Sequence, residues 1–252
     1  DSPTKYGTVL EGSPERVNTQ EWYNILWSFG GDLFDENMSP TFNSPEAVKA
    51  LEYYYGTDGI HGTVPPDVNN YRYPEVLTAF QEELVPMVLQ WNAAYASFAD
   101  PKQSPKIHDR FDMTVVPAYE TEDGTLRRVP FAKAWYAVIN SASRNKQAAA
   151  DWIYYFTGPE AGKISLLNGG LSSSTGAWSD PEVLGVRKDA SVFMESSTLA
   201  KMTPNLPEFT AMEDHLIEAL TFVLAGRKGA EQALTDANEA ALKVLERAQR
   251  SR

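Results

Sequence analysis

Trp22, Ile25, Leu26 and Phe29 recur at i, i+3, i+4 and i+7, the spacing of one helix face. Asn18 or Thr19 is placed to cap that helix, and Glu21 follows Asn18 by three residues, a capping-box spacing. Gly30-Gly31 ends it, because glycine takes the left-handed cap conformation without Cβ strain. Ser44-Pro45-Glu46 opens the next helix: serine caps, proline is preset for the first turn, and glutamate favours the positive end of the dipole. Val48, Leu51 and Tyr55 carry its apolar stripe. Stripes of this kind pack inward, so these residues are expected in the core.

Further along, the period changes. TVL (8–10), LVPMVLQ (84–90), MTVVPA (113–118) and VPFAKAWYAVIN (129–140) are short apolar runs that predict strands. Pro86 confines the second to an edge or a strand start. Residues 59–74 form a Pro/Gly/Asn-rich link, 75–83 a helix, 99–106 a loop and 120–125 a turn. Ser143 is expected to cap a helix with Ala149, Trp152, Ile153 and Phe156 on one face. Pro159-Glu160 opens a short helix that Gly169-Gly170 closes. Beyond 190 the chain reads as helical, broken at 203–209, and the 229–250 helix buries Ala230, Leu234, Ala237, Ala241 and Leu245. Short strands alternating with helices predict an α/β fold.

The 252 residues are enough for one large domain or two lobes, and 42% hydrophobic content supports a core. A net charge of −12 argues against nucleic acid or an anionic membrane surface as partner. Without cysteine there is no disulfide framework, thiol nucleophile or Cys-based metal site, which suits an exported bacterial protein. No apolar run approaches the ~18 residues of a membrane-spanning helix. Asp1 opens no signal peptide, so either one has been removed or the chain starts partway into a longer protein.

No catalytic constellation stands out. His61, His108 and His215 are isolated, and neither HExxH, GxSxG nor a phosphate loop occurs. Asp32, Asp35 and Glu36 lack the ligand spacing of a calcium loop and read as a solvated turn; Asp112, Glu120, Glu122 and Asp123 read likewise. A glycosidase needs two carboxylates across a cleft, and nothing singles out a pair among the 34 acidic residues. There remain aromatics at strand ends and in loops: Trp91, Tyr95, Trp135, Tyr136 and Trp178. Ligands bind at strand ends in α/β folds. An indole offers an apolar platform to a sugar ring while nearby amides meet its hydroxyls. Trp91 and Trp135 divide between that role and the core, and Trp178 leans to the core.

The order of the pieces resembles the extracytoplasmic solute-binding proteins of bacterial ABC importers, the type II, maltose-binding-protein-like class. The matching residues are LWSFGGDLFDEN (26–37), TFNSPEAVKALEYY (41–54), AFQEELVPMVLQW (79–91), WYAVINSASRNKQAAADWIYYFTGPE (135–160), LNGGLSSS (167–174) and a distal P-x-x-P-x-F at Pro204, Pro207 and Phe209 with a terminal EQAL…A helix from Glu231. They span nearly the whole chain in order.

The resemblance implies a type II periplasmic-binding-protein-like fold, mainly its C-terminal lobe, with most of an N-terminal lobe lying upstream. It assigns 1–130 to the C-terminal-lobe core, 131–178 to a crossover segment of the N-terminal lobe, and 179–252 to the helical remainder of the C-terminal lobe. Residue by residue it marks Asn18 and Gln20 at the start of the first helix, Trp91 and Asn92 after the second strand, and Lys133, Ala134 and Trp135 as ligand contacts. Lys133-Ala134 replaces the usual Gly-Gly, which fits an acidic or substituted sugar, or an exposed side chain. A Gly of the 79–91 run is replaced within Gln81-Glu82-Glu83, and Met212, Glu213, Asp214 and Ile217 do not reproduce the aromatic and arginine that contact maltose, so maltose itself is not implied.

The implied function is to capture a small carbohydrate, whether sugar, oligosaccharide or polyol, and deliver it to an ABC permease. The implied location is periplasmic or extracellular, with lipid anchoring open; no cofactor, metal or catalytic residue is called for. The alternatives are a carbohydrate-active enzyme with paired carboxylates and a separately folding lobe that acts as an interaction module.

Overall fold

The computed structural model describes residues 4–55, 63–121 and 124–250. In chain order the helices are α1 (Arg16–Ser28), α2 (Pro45–Tyr55), α3 (Tyr73–Gln81), α4 (Ala94–Ala99), α5 (Lys146–Phe156), α6 (Pro159–Leu167), α7 (Thr175–Trp178), α8 (Pro181–Val186), α9 (Ala190–Leu199), α10 (Phe209–Leu224) and α11 (Ala230–Arg250). One antiparallel pair, β1 (Tyr119–Glu120) and β2 (Leu126–Arg127), is the sheet among the described residues. The chain divides into two compact units: 1–89 with 116–131 and 200–252, and 90–115 with 132–199.

The first unit is built on α1, α2, α10 and α11, which pack on one another around Trp22, Leu26, Phe42, Leu51, Leu216 and Leu234. The predicted α1 face is inside, and so is most of the α11 stripe. Gly30, at φ 90°, turns the chain out of α1, and the following Gly31 donates to Leu26 O at 3.0 Å. A Cβ on Gly31 would lie 2.5 Å from Leu26 Cδ1, so a side chain there would have to displace that methyl group, while the positive φ of Gly30 favours glycine for conformation. Ser44 caps α2 as its sequence predicts, accepting from Ala47 N at 3.2 Å.

The start of α1 differs from expectation. The helix begins at Arg16, with Glu15 at the cap position and no side-chain cap bond. Asn18 and Thr19 lie inside the first turns, where their polar groups serve tertiary contacts. Thr19 Oγ1 donates to Arg16 O at 2.8 Å and lies 3.1 Å from Glu213 Oε1; Asn18 Oδ1 accepts from the Tyr55 hydroxyl.

The predicted strands at 8–10, 84–90, 113–118 and most of 129–140 do not form a ladder. Their apolar residues are placed by packing, and their backbone groups find other partners. Val9 and Leu10 are core residues, while Gly7 and Thr8 both donate to Thr63 O. Val129 N donates to Ser28 Oγ at 3.1 Å and Phe131 N to Asn24 Oδ1 at 2.7 Å. Side chains of α1 thus take bonds that a neighbouring strand would have taken; a single parallel bridge joins Phe131 to Lys201.

The second unit has a smaller core of Leu166, Ala177, Trp178, Val183 and Ala190. Trp178 is buried, as expected, stacked on Phe193 at 4.2 Å, with its indole N–H donating to Ser172 O at 2.9 Å. Arg187 organises the unit. Its guanidinium forms a fork with Asp189 at 2.7 and 2.6 Å, donates to Leu166 O and Gly170 O, and lies 5.0 Å from the Tyr95 ring and 5.2 Å from the Trp178 ring. The stripe predicted for α5 is not in this core: α5 has no buried residue, and Trp152 and Phe156 stack on each other at the surface. Its helix also starts late, because Ser143 Oγ accepts from Asn145 N and Asn145 takes the cap position.

Candidate functional site

The seven sequence-marked positions fall into the two units. Asn18 and Gln20 belong to the first. Both side chains are buried on α1, Asn18 against Tyr55, and Gln20 O accepts from Asn24 Nδ2 at 3.0 Å. Trp91, Asn92, Lys133, Ala134 and Trp135 belong to the second. Trp91 and Asn92 are half-buried and form the turn that enters α4, with Trp91 O accepting from Ala94 N and Asn92 O from Tyr95 N. Lys133, Ala134 and Trp135 lie on an exposed extended segment, and Trp135 is 95% exposed. Of the other aromatics, Tyr136 is exposed and Tyr95 buried.

The acidic residues are also resolved into roles. Asp35 Oδ1 accepts from Asn37 N and Ser39 N, and Asp32 pairs with Lys201, so the 32–36 cluster is a turn held by its own carboxylates. Among the described residues no group of three His, Asp or Glu could hold a metal ion. His61, Glu122 and Asp123 lie outside the described residues.

Two buried acids went unmarked as polar anchors. Glu213 of α10 accepts from Tyr23 at 3.0 Å, lies 3.1 Å from the Thr19 hydroxyl and pairs with Arg16 at 3.2 Å. Burial, and then the Glu213 charge, raise the Tyr23 hydroxyl well above the ordinary tyrosine range. Met212 and Glu213 therefore pack into the first unit's interior. Glu21, 7% exposed, accepts from Tyr54 at 2.6 Å and from Glu11 N at 3.0 Å. The capping box expected of Asn18 and Glu21 does not form, because α1 starts at Arg16; the N–H that Glu21 accepts is that of Glu11, in the segment before the helix.

The second unit has a cleft of about 190 Å³ beside Tyr95, His108, Phe111, Asp112 and Lys188. That is below the ~300 Å³ at which ordinary small-molecule pockets begin, and none of the seven marked residues lines it.

Residues 1–163 match the family model of the bacterial extracellular solute-binding proteins. This chain belongs to that family. Within it, the chain is 26% identical to the mannitol-binding protein of Pseudomonas aeruginosa over 97% of its own length and 59% of the relative's. It is 24% identical to a probable amino-acid ABC transporter periplasmic-binding protein of Sinorhizobium fredii over 71% of this chain and 39% of that one. Among solved structures, maltose-bound MalE3 of T. maritima superposes at TM-score 0.84, with 22% identity, covering 95% of this chain and 60% of that one. An Agrobacterium radiobacter solute-binding protein in complex with ribitol gives 0.82 and 24% over the same shares. The fold is thus that of the type II periplasmic-binding proteins, and the chain spans three-fifths or less of these relatives.

Proposed function

We propose that the chain is the substrate-binding part of an ABC importer that captures a small sugar, oligosaccharide or polyol between two lobes and delivers it to a permease. The observation that carries this is the match to a mannitol-binding protein along 97% of the chain, within a family of extracellular solute-binding proteins. The mechanism is closure on ligand without covalent chemistry. Support for a non-enzymatic role comes from the family, whose relatives reported above are binding proteins. The family supports a place outside the cytoplasm, and no described helix is long and apolar enough to cross a membrane. A negative chain favours neutral ligands over nucleic acid.

Asn18, Gln20, Trp91, Asn92, Lys133, Ala134 and Trp135 are the proposed ligand contacts. The lobe assignment belongs to the same proposal: 1–130 and 179–252 to the C-terminal lobe, 131–178 to the crossover.

Because Trp135 is exposed, Trp135→Ala is expected to leave the thermal midpoint within about 1 °C of the wild type, which corresponds to a few tenths of a kcal/mol. The same change is expected to weaken sugar or polyol binding at least tenfold, from loss of a stacking platform. A thermal-shift screen of sugars, polyols and amino acids on the natural gene product carrying this chain tests the reading, since ligand raises stability by mass action. Stabilisation by a sugar or polyol that Trp135→Ala abolishes supports it; chromogenic glycoside turnover lost on mutating one acidic residue overturns it.

A further inference from the structure

Glu21 joins three segments of the first unit. It stands on α1, its Oε2 accepts the Tyr54 hydroxyl of α2 at 2.6 Å, and the same oxygen accepts the backbone N–H of Glu11 from the leading segment at 3.0 Å. The residue is in the core. Among the described residues, the titratable groups that face it are Glu11 from the leading segment and Tyr54 and Tyr55 from α2. Arg16 is engaged elsewhere, with Glu213 and Asp214 of α10. Burial and the nearby Glu11 carboxyl disfavour an ionised Glu21, and they outweigh the two donors that favour it.

We propose that Glu21 is a proton-held clasp: as a neutral acid it fastens the leading segment and α2 to α1, and ionisation loosens that three-way joint. Desolvation, with the Glu11 charge adding to it, raises the Glu21 carboxyl from 4.5 to about 8, against the lowering effect of the Tyr54 and Glu11 N–H bonds. The folded state then holds a proton that the unfolded chain has released. Its contribution to stability is complete below about pH 4.5 and is lost as pH rises through about 8. Asn18, one turn earlier, is held by Tyr55, the neighbour of Tyr54, so loosening reaches the start of α1. For a protein outside the cytoplasm, this makes ambient alkalinity a control on the rigidity of one unit.

The test is urea unfolding of the natural gene product between pH 5 and pH 9, wild type against Glu21→Gln. Glutamine keeps an acceptor for both donors and removes the titration. The wild-type folding constant, divided by that of the variant, is expected to fall by up to about tenfold per pH unit between 5 and 8. A ratio independent of pH overturns the proposal. Should the variant fail to fold, infrared spectroscopy of the wild type decides. A protonated-carboxyl band present at pH 6.5 and titrating away near pH 8 supports the clasp; its absence at pH 6.5 overturns it.

Discussion

Replacing Arg187 with methionine is expected to destabilise the second unit by roughly 3–5 kcal/mol, the cost of breaking a buried ion pair by removing one partner. Arg187 is 5% and Asp189 0% exposed, so the stranded carboxylate cannot turn to water. Three further losses act in the same direction. Leu166 O and Gly170 O, at the end of α6, lose their donor, and the Tyr95 and Trp178 rings lose the cation between them. Arg187→Lys keeps the charge but not the fork, and should fall between wild type and methionine. The double change Arg187→Met with Asp189→Leu should recover part of the loss, because the unpaired charge goes with its partner. Denaturant unfolding followed by tryptophan fluorescence checks the order; equal stability of wild type and Arg187→Met would show that the fork contributes nothing.

Trp22→Ala is expected to cost about 3–5 kcal/mol, through lost burial and the cavity left at the centre of the first unit. Trp22 is completely buried beside Tyr23. Its indole nitrogen is also buried without a hydrogen-bond partner among the described residues. Leaving such a group unpaired costs roughly 1–3 kcal/mol. Trp22→Phe removes the N–H along with some volume, so its net cost should be under about 2 kcal/mol, well below that of alanine. Calorimetric unfolding of both variants checks this; equal losses would mean that the indole N–H has a partner in solution.

Much of the first unit was legible because its helices carry a 3.6-residue period and end at specific residues. Trp22, Leu26 and Leu51 announce a core by spacing alone, and Ser44 and Gly30 mark ends whose geometry depends on a hydroxyl or a missing Cβ. The strand runs were misread for a physical reason. An apolar run records burial, whereas a strand also needs a partner with free backbone groups, and the bonds at Val129 and Phe131 go to Ser28 and Asn24, about a hundred residues away. The α5 stripe shows the converse, since periodicity marks an apolar face without supplying anything to bury it. The Arg187–Asp189 fork was invisible because two residues spaced i, i+2 across a non-helical turn carry no periodic signal. Of the proposed contacts, sequence similarity picks the positions, but Asn18 and Gln20 prove to be buried and Trp135 exposed, properties that depend on packing and not on residue type.

The proposed capture of a small carbohydrate is tested by calorimetric titration of mannitol, ribitol and maltose into the natural gene product carrying the chain. Saturable one-to-one binding of at least one of them is expected, with a Kd on the order of micromolar or tighter. Saturable binding of an amino acid, with no heat from any sugar or polyol, would contradict it.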